Sequence, residues 1–321
     1  MSLFDQYIKG FTQYLILERG FSRNTSEAYL CDCKKLFSFL DESYPHLSVK
    51  DITYSHLQEF ITQINNQVSK TTNEDETVLK IASQKRLISG IRSFFKYLIL
   101  EDEIAIDPTE KIELPRMDER LPVVLSNAEI DQMQAAIDRS TYKGEWTNLL
   151  IEILYGAGLR ISEALNLKKK DLYPQEGLIH VIGKGDKERW VPLHKEAFRL
   201  AGLFWENSRS HVLPTKGNEE YIFLNHNGGH LTRIAAFQAI KELGAKAGIK
   251  KNIHPHTLRH SFATELMFAG ADIMSVKELM GHASVQSTQI YTNLDTEHLQ
   301  ETLALYHPLY KNNIVDKGHK S

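Results

Sequence analysis

Residues 254–264 read HPHTLRHSFAT, a stretch that combines a helix signal with a cluster of basic side chains. Pro255 suits the first turn of a helix, because an amide in that turn needs no intrahelical partner. The apolar positions recur at helical spacing, and the stripe that they form is Leu258, Phe262 and Leu266. His256 and Arg259 share another face, near the positive end of the helix. The stretch therefore predicts a buried helix with a basic pair near its start.

The same stretch admits a metal hypothesis, since His256 and His260 have the i,i+4 spacing of a zinc-binding helix. However, the glutamate of the zinc-protease motif is missing, and Arg259 lies between the two histidines, where its charge disfavours a cation. A zinc hydrolase that uses His254, His256 and His260 is therefore a minority hypothesis, which full activity in a chelator would dismiss.

Residues 155–163 contain a second candidate site. Gly156 and Gly158 end one helix, and Arg160 lies near the start of the next, three residues before Glu163 on the same face. An arginine held by a carboxylate at a helix start is well placed to bind an oxyanion. A plain i,i+3 surface pair explains the two residues equally well.

Two more segments become informative only in combination with the first two. Lys184 lies between glycines at the tip of a predicted hairpin, without the P-loop motif, and alone it is best interpreted as part of a solvated turn. Gly281 ends the helix that begins after Asp272, so that His282 emerges at a C-terminal turn. Tyr291, taken alone, is more typical of a core residue than of a nucleophile.

Together these side chains form the set that phosphoryl transfer without a metal requires. Arg160 and Arg259 can bind the non-bridging oxygens and spread the charge of the transition state. Histidines can donate hydrogen bonds or accept a proton from the phenol of Tyr291, whose ordinary pKa of about 10 makes it a poor nucleophile at neutral pH. Lys184 can protonate the leaving 5′-oxygen. No carboxylate cluster typical of a magnesium site is apparent in the sequence, so we expect no cofactor.

The order of these residues resembles the tyrosine recombinase (phage integrase) family, and most of all its Xer branch. The segments that carry the resemblance are AGLRISE at 157–163, GKG at 183–185, HTLRHSFAT at 256–264, GH at 281–282 and QIYT at 289–292. The match covers nearly the whole chain, and its last three segments are highly specific.

The resemblance implies a role for each candidate residue. These are Arg160 and Arg259 as phosphate-binding residues, Lys184 as general acid, His256 and His282 as phosphate-binding and proton-handling residues, Tyr291 as nucleophile, and Glu163 as the support that orients the arginines.

The first third of the chain is predicted to be helical. Apolar periodicity indicates helices throughout residues 1–105, with Gly20 ending the first and Ser22 starting the second, and the first domain is predicted to span residues 1–107. A third helix follows Thr53, and the polar stretch 69–77 is predicted as a loop before the fourth.

The rest of the chain is predicted to contain a linker and a second domain. Prolines interrupt the pattern over residues 108–121, which we interpret as an extended linker. Residues 122–321 contain further helices and a strand pair, 178–182 and 188–191, joined by a glycine turn. The fold class is therefore mainly α with a small antiparallel β-sheet in the catalytic domain. The resemblance implies a helical core-binding domain and a tyrosine-recombinase catalytic domain that close as a clamp around duplex DNA.

Charge and composition exclude several classes of protein. The 321 residues carry 38 basic and 41 acidic side chains, and the net charge of −3 argues mildly against a nucleic-acid-binding protein. Cations cluster after residue 110, for example at 168–170, where a charge run can follow a phosphate backbone but is usually a solvated face. Neither a membrane span nor a signal peptide is apparent, and Cys31 and Cys33 are too few for a disulfide framework. The cytoplasm is the simplest expected location.

The resemblance also implies a function and partners. The expected enzyme is a site-specific recombinase that cuts and rejoins duplex DNA through a 3′-phosphotyrosyl intermediate and resolves chromosome dimers at cell division. Its expected partners are a double-stranded recombination site, other protomers of the same chain or of a paralogue in a tetramer on two sites, and, as a further candidate, a division-linked DNA translocase.

Three alternatives to this function stay open. A mobile-element integrase and a type IB topoisomerase would use the same chemistry. A DNA-binding protein without catalysis is disfavoured, because such a protein needs neither Tyr291 nor Lys184.

Overall fold

The computed structural model describes residues 5–68, 74–113, 123–183, 187–281 and 293–311. The chain forms two compact units, Met1–Arg120 and Leu121–Ser321, and each has its own hydrophobic core. The described residues are mainly helical with one small antiparallel sheet, which confirms the predicted fold class.

The described part of the first unit consists of four α-helices and two short helical turns. These are α1 (Asp5–Gln13), a π-helical turn (Tyr14–Glu18), α2 (Arg23–Ser43), a 3-10 turn (Val49–Asp51), α3 (Tyr54–Val68) and α4 (Glu74–Leu100). Ser22 caps α2 by accepting a hydrogen bond from the amide of Thr25, as the sequence predicts. Because α4 begins at Glu74, the prediction of a loop as far as residue 77 is wrong at its end. Acidic residues are favoured in a first helical turn, where they interact with the helix dipole.

The core of the first unit is aromatic. Phe94 of α4 packs edge-on against Phe11 and Phe37, with ring centroids 5.3 and 5.0 Å away. Asp32 of α2 is fully buried, and its carboxylate accepts hydrogen bonds from both Nη atoms of Arg86 on α4. The rings and the ion pair together join α1, α2 and α4.

A turn after α4 also belongs to the first unit. Asp107 accepts hydrogen bonds from the amide and the hydroxyl of Thr109, and both Thr109 and Ile112 are buried. The carbonyl of Ile112 accepts a hydrogen bond from Arg92 of α4. Residues 108–112 of the predicted linker therefore pack with the first unit, and residues 114–121 lie outside the described residues.

The second unit begins with helices, continues with the sheet and ends with helices. Its described elements are α5 (Asn127–Ala135), α6 (Tyr142–Gly156), α7 (Ile161–Leu165), a 3-10 turn (Lys169–Asp171), β1 (Leu172–Tyr173), β2 (Leu178–Ile182), β3 (Glu188–Pro192), α8 (Lys195–Asn207), a 3-10 turn (Arg209–His211), α9 (Arg233–Lys246), α10 (Pro255–Ala269), α11 (Ile273–Leu279), α12 (Asn293–Tyr306) and α13 (Pro308–Lys311). The sheet order is β1-β2-β3, all antiparallel, with Ile179 opposite Val191. The predicted strand pair is thus confirmed, and β1 adds a short third strand.

The core of the second unit forms around α6 and α10. Every residue of α6 from Trp146 onward is buried. The apolar stripe of α10 predicted from sequence faces this core, and its three residues are fully buried. Gly158 follows α6 with a φ of +60°, and a Cβ there would lie 2.5 Å from the ring of Phe262. Only glycine fits this turn, which leads the chain to Arg160.

The C-terminal helices α12 and α13 pack into the core of the second unit, to which they belong. Leu299 and Leu303 of α12 are buried in its core. The hydroxyl of Tyr310 on α13 lies 3.0 Å from the carbonyl oxygens of both Gly156 and Pro192. In the described part of the chain, every helix is too short or too polar to cross a membrane.

Candidate active site

Arg160 takes its position from the turn between α6 and α7. It is the N-cap residue of α7, with an extended backbone (φ −71°, ψ 147°). Its amide donates a hydrogen bond of 2.9 Å to Oε2 of Glu163, and its Nη1 donates one of 2.8 Å to Oε1. The i,i+3 pairing predicted from sequence is therefore confirmed. Glu163 is buried, whereas the side chain of Arg160 is 36% exposed, so the guanidinium can still meet a ligand.

Arg259 reaches the same place from α10. Its guanidinium is buried and donates hydrogen bonds to the carbonyls of Gly158 and Met280. Nη2 of Arg160 donates to the next carbonyl, that of Gly281, at 3.1 Å. The end of α11 thus accepts one hydrogen bond from each arginine, and Gly281 ends that helix with a φ of +61°, as predicted.

The charge state of this pair favours anion binding. Burial, together with the positive charges of Arg160 and Arg189, lowers the pKa of the Arg259 guanidinium to about 10. The group therefore stays charged at neutral pH. A protonated arginine offers paired N–H donors that match the oxygens of a phosphate.

Arg189 is a site residue that the sequence analysis did not single out. On β3 it is buried, and its Nη1 and Nη2 donate hydrogen bonds of 3.0 and 2.9 Å to the two oxygens of Glu163. A signal was present: Arg189 is two residues before Val191, and alternate strand residues share a face, so an inward valine predicts an inward arginine.

Glu163 is the common partner of two arginines. Burial by itself raises the pKa of Glu163, but the hydrogen bonds and charge of Arg189, joined by the hydrogen bonds of Arg160, outweigh burial. The pKa of this carboxyl is therefore held below its ordinary value. Glu163 is ionised at neutral pH and can hold both guanidinium groups in place.

The histidines of α10 differ in exposure. His256 is exposed, three residues before Arg259, whereas His254 and His260 are half-buried. Burial lowers the pKa of both His254 and His260, and the nearby His256 adds to this effect. In the described residues, no group of three or more His, Cys, Asp or Glu side chains could hold a metal ion.

Three predicted site residues, Lys184, His282 and Tyr291, lie outside the described residues. The residues that precede two of them in the chain, Gly183 and Gly281, lie against the arginine site. The amide of Gly183 donates a 2.7 Å hydrogen bond to the carbonyl of Lys187, and a Cβ on Gly183 would lie 3.4 Å from both Arg189 and Glu163. Residue 282 directly follows Gly281, whose carbonyl binds Arg160.

The predicted basic run at 168–170 has partners of its own. Lys168 and Lys169 place their ammonium groups 5.1 and 4.9 Å from the ring centroids of Tyr221 and Trp205. Lys170 lies 3.9 Å from the carboxylate of Glu220. These contacts favour the interpretation of the run as a surface face rather than as a track for phosphates.

Comparison with known proteins agrees with the geometry. The phage integrase family profile matches residues 124–298, and the profile of the phage integrase N-terminal SAM-like domain matches residues 8–102. The chain is 38% identical over 301 residues to the tyrosine recombinase XerD of Listeria monocytogenes serovar 1/2a, covering 94% of this chain and 98% of that protein. It is 35% identical over 310 residues to the tyrosine recombinase XerC of Oceanobacillus iheyensis, covering 96% and 98%.

Solved structures share the fold. The XerH site-specific recombinase bound to its difH substrate, in a pre-cleavage complex, superposes with a TM-score of 0.64 at 25% identity, covering 94% of this chain and 95% of that one. The Tn1549 transposon integrase, in complex with a circular intermediate DNA, superposes with a TM-score of 0.65 at 19% identity, covering 97% and 99%.

The two matched family profiles, which together span most of the chain, define an enzyme that breaks and rejoins DNA strands. More particularly, the chain belongs to the phage integrase family and is a tyrosine recombinase, which cleaves and rejoins DNA.

Proposed function

We propose that this site-specific recombinase resolves chromosome dimers at cell division, and that it works through a 3′-phosphotyrosyl intermediate. One observation carries the proposal: Arg160 and Arg259 come from different helices and bind adjacent carbonyls, those of Gly281 and Met280. A phosphodiester oxygen that meets both guanidinium groups would also lie near the start of the segment that carries His282 and Tyr291.

In the proposed reaction, the phenolic oxygen of Tyr291 attacks the phosphorus and the bond to the 5′-oxygen breaks. The phenol loses its proton to a histidine, His256 or His282, and Lys184 gives a proton to the leaving 5′-oxygen. The product is a 3′-phosphotyrosine and a 5′-hydroxyl. Attack by a 5′-hydroxyl of the partner strand reverses these steps, so the bond energy is kept and no nucleotide cofactor is needed.

Electrostatics supports the assignment of Arg160 and Arg259 to the phosphate. Three guanidinium groups, those of Arg160, Arg189 and Arg259, share the single carboxylate of Glu163, which leaves an excess of two positive charges. Fixed cations of this kind stabilise the additional negative charge of a phosphoryl-transfer transition state. The net charge of −3 for the chain therefore does not oppose DNA binding at this site.

We further propose the partners and the location. The partner is a duplex DNA site, held by residues 1–107 as core-binding domain and by residues 122–321 as catalytic domain, with a linker at 108–121. Four protomers, of this chain alone or with a paralogue, would assemble on two sites in the cytoplasm, with a division-linked translocase as activator. Support comes from the relatives, which include both a XerD and a XerC recombinase.

The test is covalent trapping on random genomic fragments of the source organism. Wild-type protein should form protein–DNA adducts at a specific chromosomal site. The variant Tyr291→Phe should form no adduct while its DNA binding stays largely intact, because only the nucleophilic oxygen is removed. Tyr54→Phe, at an exposed position in α3, is the matched control and should behave as wild type.

Each outcome separates the candidate functions. An adduct that persists in Tyr291→Phe refutes the nucleophile. Adducts without site preference, together with relaxation of supercoiled DNA, would point instead to a type IB topoisomerase. Adducts confined to the ends of a mobile element would indicate an integrase.

A further inference from the structure

Arg189 belongs to a hydrogen-bond arrangement that uses the whole carboxylate of Glu163. Oε1 accepts from Nη1 of Arg189 at 3.0 Å and from Nη1 of Arg160 at 2.8 Å. Oε2 accepts from Nη2 of Arg189 at 2.9 Å and from the amide of Arg160 at 2.9 Å. Each oxygen therefore binds one donor from each arginine.

The two arginines differ in exposure, and this difference separates their roles. The side chain of Arg189 is 7% exposed and that of Glu163 is 3% exposed, whereas that of Arg160 is 36% exposed. Only Arg160 of the three can meet a phosphate from solvent. Its orientation depends on Glu163 and on the carbonyl of Gly281.

We propose that Arg189 is a positioning residue for the reaction: it fixes the carboxylate of Glu163 and thereby orients the guanidinium of Arg160, without touching DNA. This inference rests on the proposed role of Arg160 in binding the phosphate. Two N–H donors in one plane hold both carboxylate oxygens, which a single ammonium group cannot do.

Packing around Arg189 supports a fixed position. Gly281 has a φ of +61°, and a Cβ there would lie 2.8 Å from Cζ of Arg189. The guanidinium thus lies against the backbone of the residue whose carbonyl binds Arg160. This close contact and the two hydrogen bonds to Glu163 restrict the position of the Arg189 guanidinium.

The same geometry offers a competing role. Arg189 is on the hairpin that carries residue 184, and a Cβ on Gly183 would lie 3.4 Å from Nη1 of Arg189. Arg189 could therefore act on the general acid Lys184 instead of on Arg160. The experiment has to separate these two routes.

The experiment measures single-turnover adduct formation on a nicked duplex that carries the site recovered by adduct mapping, at saturating DNA. Arg189→Met should slow cleavage by about 100-fold, since small misplacements of a catalytic group cost this much. Arg189→Lys, which keeps the charge but not the paired donors, should recover only part of the rate. When Arg189→Met is added to Arg160→Lys, the cleavage rate should fall by less than about a further threefold, because both changes disable the same Arg160–Glu163–Arg189 arrangement.

A second substrate identifies the route. With sulfur in place of the bridging 5′-oxygen, the leaving thiolate needs no general acid. This substrate should restore cleavage in Lys184→Ala but not in Arg189→Met. The inference would be overturned if the sulfur substrate restored cleavage in Arg189→Met. It would also be overturned if the rate losses of Arg189→Met and Arg160→Lys multiplied fully in the double variant.

Arg209→Met is the matched control for loss of a buried arginine. Arg209 is also buried, and within the described residues it donates hydrogen bonds to backbone carbonyls, including those of Tyr221 and Glu219. Arg209→Met should lower thermal stability. Any loss of cleavage rate that it causes should multiply fully with the loss caused by Arg160→Lys. If Tyr291→Phe still forms adducts, the proposed function fails; if it does not and Arg189→Met cleaves normally, only this inference fails.

Discussion

Each unit buries a carboxylate against arginine, but the pKa of this carboxyl is raised in the first unit and lowered in the second. In the first unit, Asp32 of α2 is fully buried and pairs with Arg86 of α4, whose side chain is 44% exposed. In the second unit, Glu163 is similarly buried but pairs with two arginines, Arg160 and Arg189. Asp32 and Arg86 join α2 to α4, and Glu163 joins α7 to Arg189 on β3.

The pKa values of the two carboxyls are shifted in opposite directions. Burial raises the pKa of Asp32 above its ordinary value, and the hydrogen bonds and charge of Arg86, with the charge of Lys35, only partly offset this effect. For Glu163, the hydrogen bonds and charge of Arg189, together with the hydrogen bonds of Arg160, outweigh burial, and the pKa is lowered. Asp32 accepts two hydrogen bonds from arginine and Glu163 accepts four. Hydrogen bonds to the ionised carboxylate favour that form and oppose the effect of burial. A lowered pKa keeps Glu163 charged, as its proposed role in orienting Arg160 requires.

The largest effect is expected from Glu163→Gln, which removes the charge of the second pair and keeps its shape. Arg189 is then buried without a counter-ion, and breaking a buried pair in this way costs about 3–5 kcal/mol of folding free energy. Adduct formation should fall by at least about 100-fold, because Arg160 loses its support. Chemical denaturation and the nicked-duplex assay measure the two losses.

Glu196→Gln is the control for this change. Glu196 pairs with Arg199 on the exposed surface of α8, so its replacement should leave both stability and cleavage near the wild-type values. If Glu163→Gln and Glu196→Gln lost equal stability and equal cleavage rate, the burial of Glu163 and its second arginine would contribute nothing to either property.

A smaller effect is expected from Arg86→Met in the first unit. Asp32 then lacks this hydrogen-bond donor, but its raised pKa eases protonation, so we expect a loss of about 1–3 kcal/mol. Hydrogen exchange should accelerate in peptides of α2 and α4. Protection in α7 should not change, and a loss of protection there would contradict the independence of the two pairs.

The smallest effect is a difference in pH dependence. Because the pKa of Asp32 is raised in the folded state, the folded state takes up a proton first as pH falls, and stability relative to Asp32→Asn should rise until about pH 3.9. Glu163 has a lowered pKa, so its stabilisation relative to Glu163→Gln is complete above about pH 4.3 and is lost as pH falls through the folded-state pKa. Denaturation of each variant from pH 7 to pH 3.5 should show slopes of opposite sign; parallel slopes would contradict the comparison.

Local signals in the sequence predicted much of the fold and part of the site. Pro255 is at the first position of α10, the hairpin pairs Ile179 with Val191, and Arg160 bonds Glu163 as expected. The roles of all the predicted site residues, including Lys184, His282 and Tyr291, remain predictions from the family resemblance.

Two sets of cations were harder to interpret. Arg189 and the lysines at 168–170 look alike in sequence, yet the first is buried on a carboxylate and two of the lysines lie over aromatic rings. The partners that distinguish them, Glu163, Tyr221 and Trp205, are distant along the chain. Charge clustering in the sequence says nothing about such partners.

By itself, the sequence determined the helices, the hairpin and the link between Arg160 and Glu163, because caps, turns and i,i+3 contacts involve residues that are close along the chain. Only the tertiary structure decided that Arg189 is buried against Glu163, and that Arg160 and Arg259 bind adjacent carbonyls at the end of α11. These contacts join residues 21 to 121 positions apart, and they form only when helices and strand pack around one core.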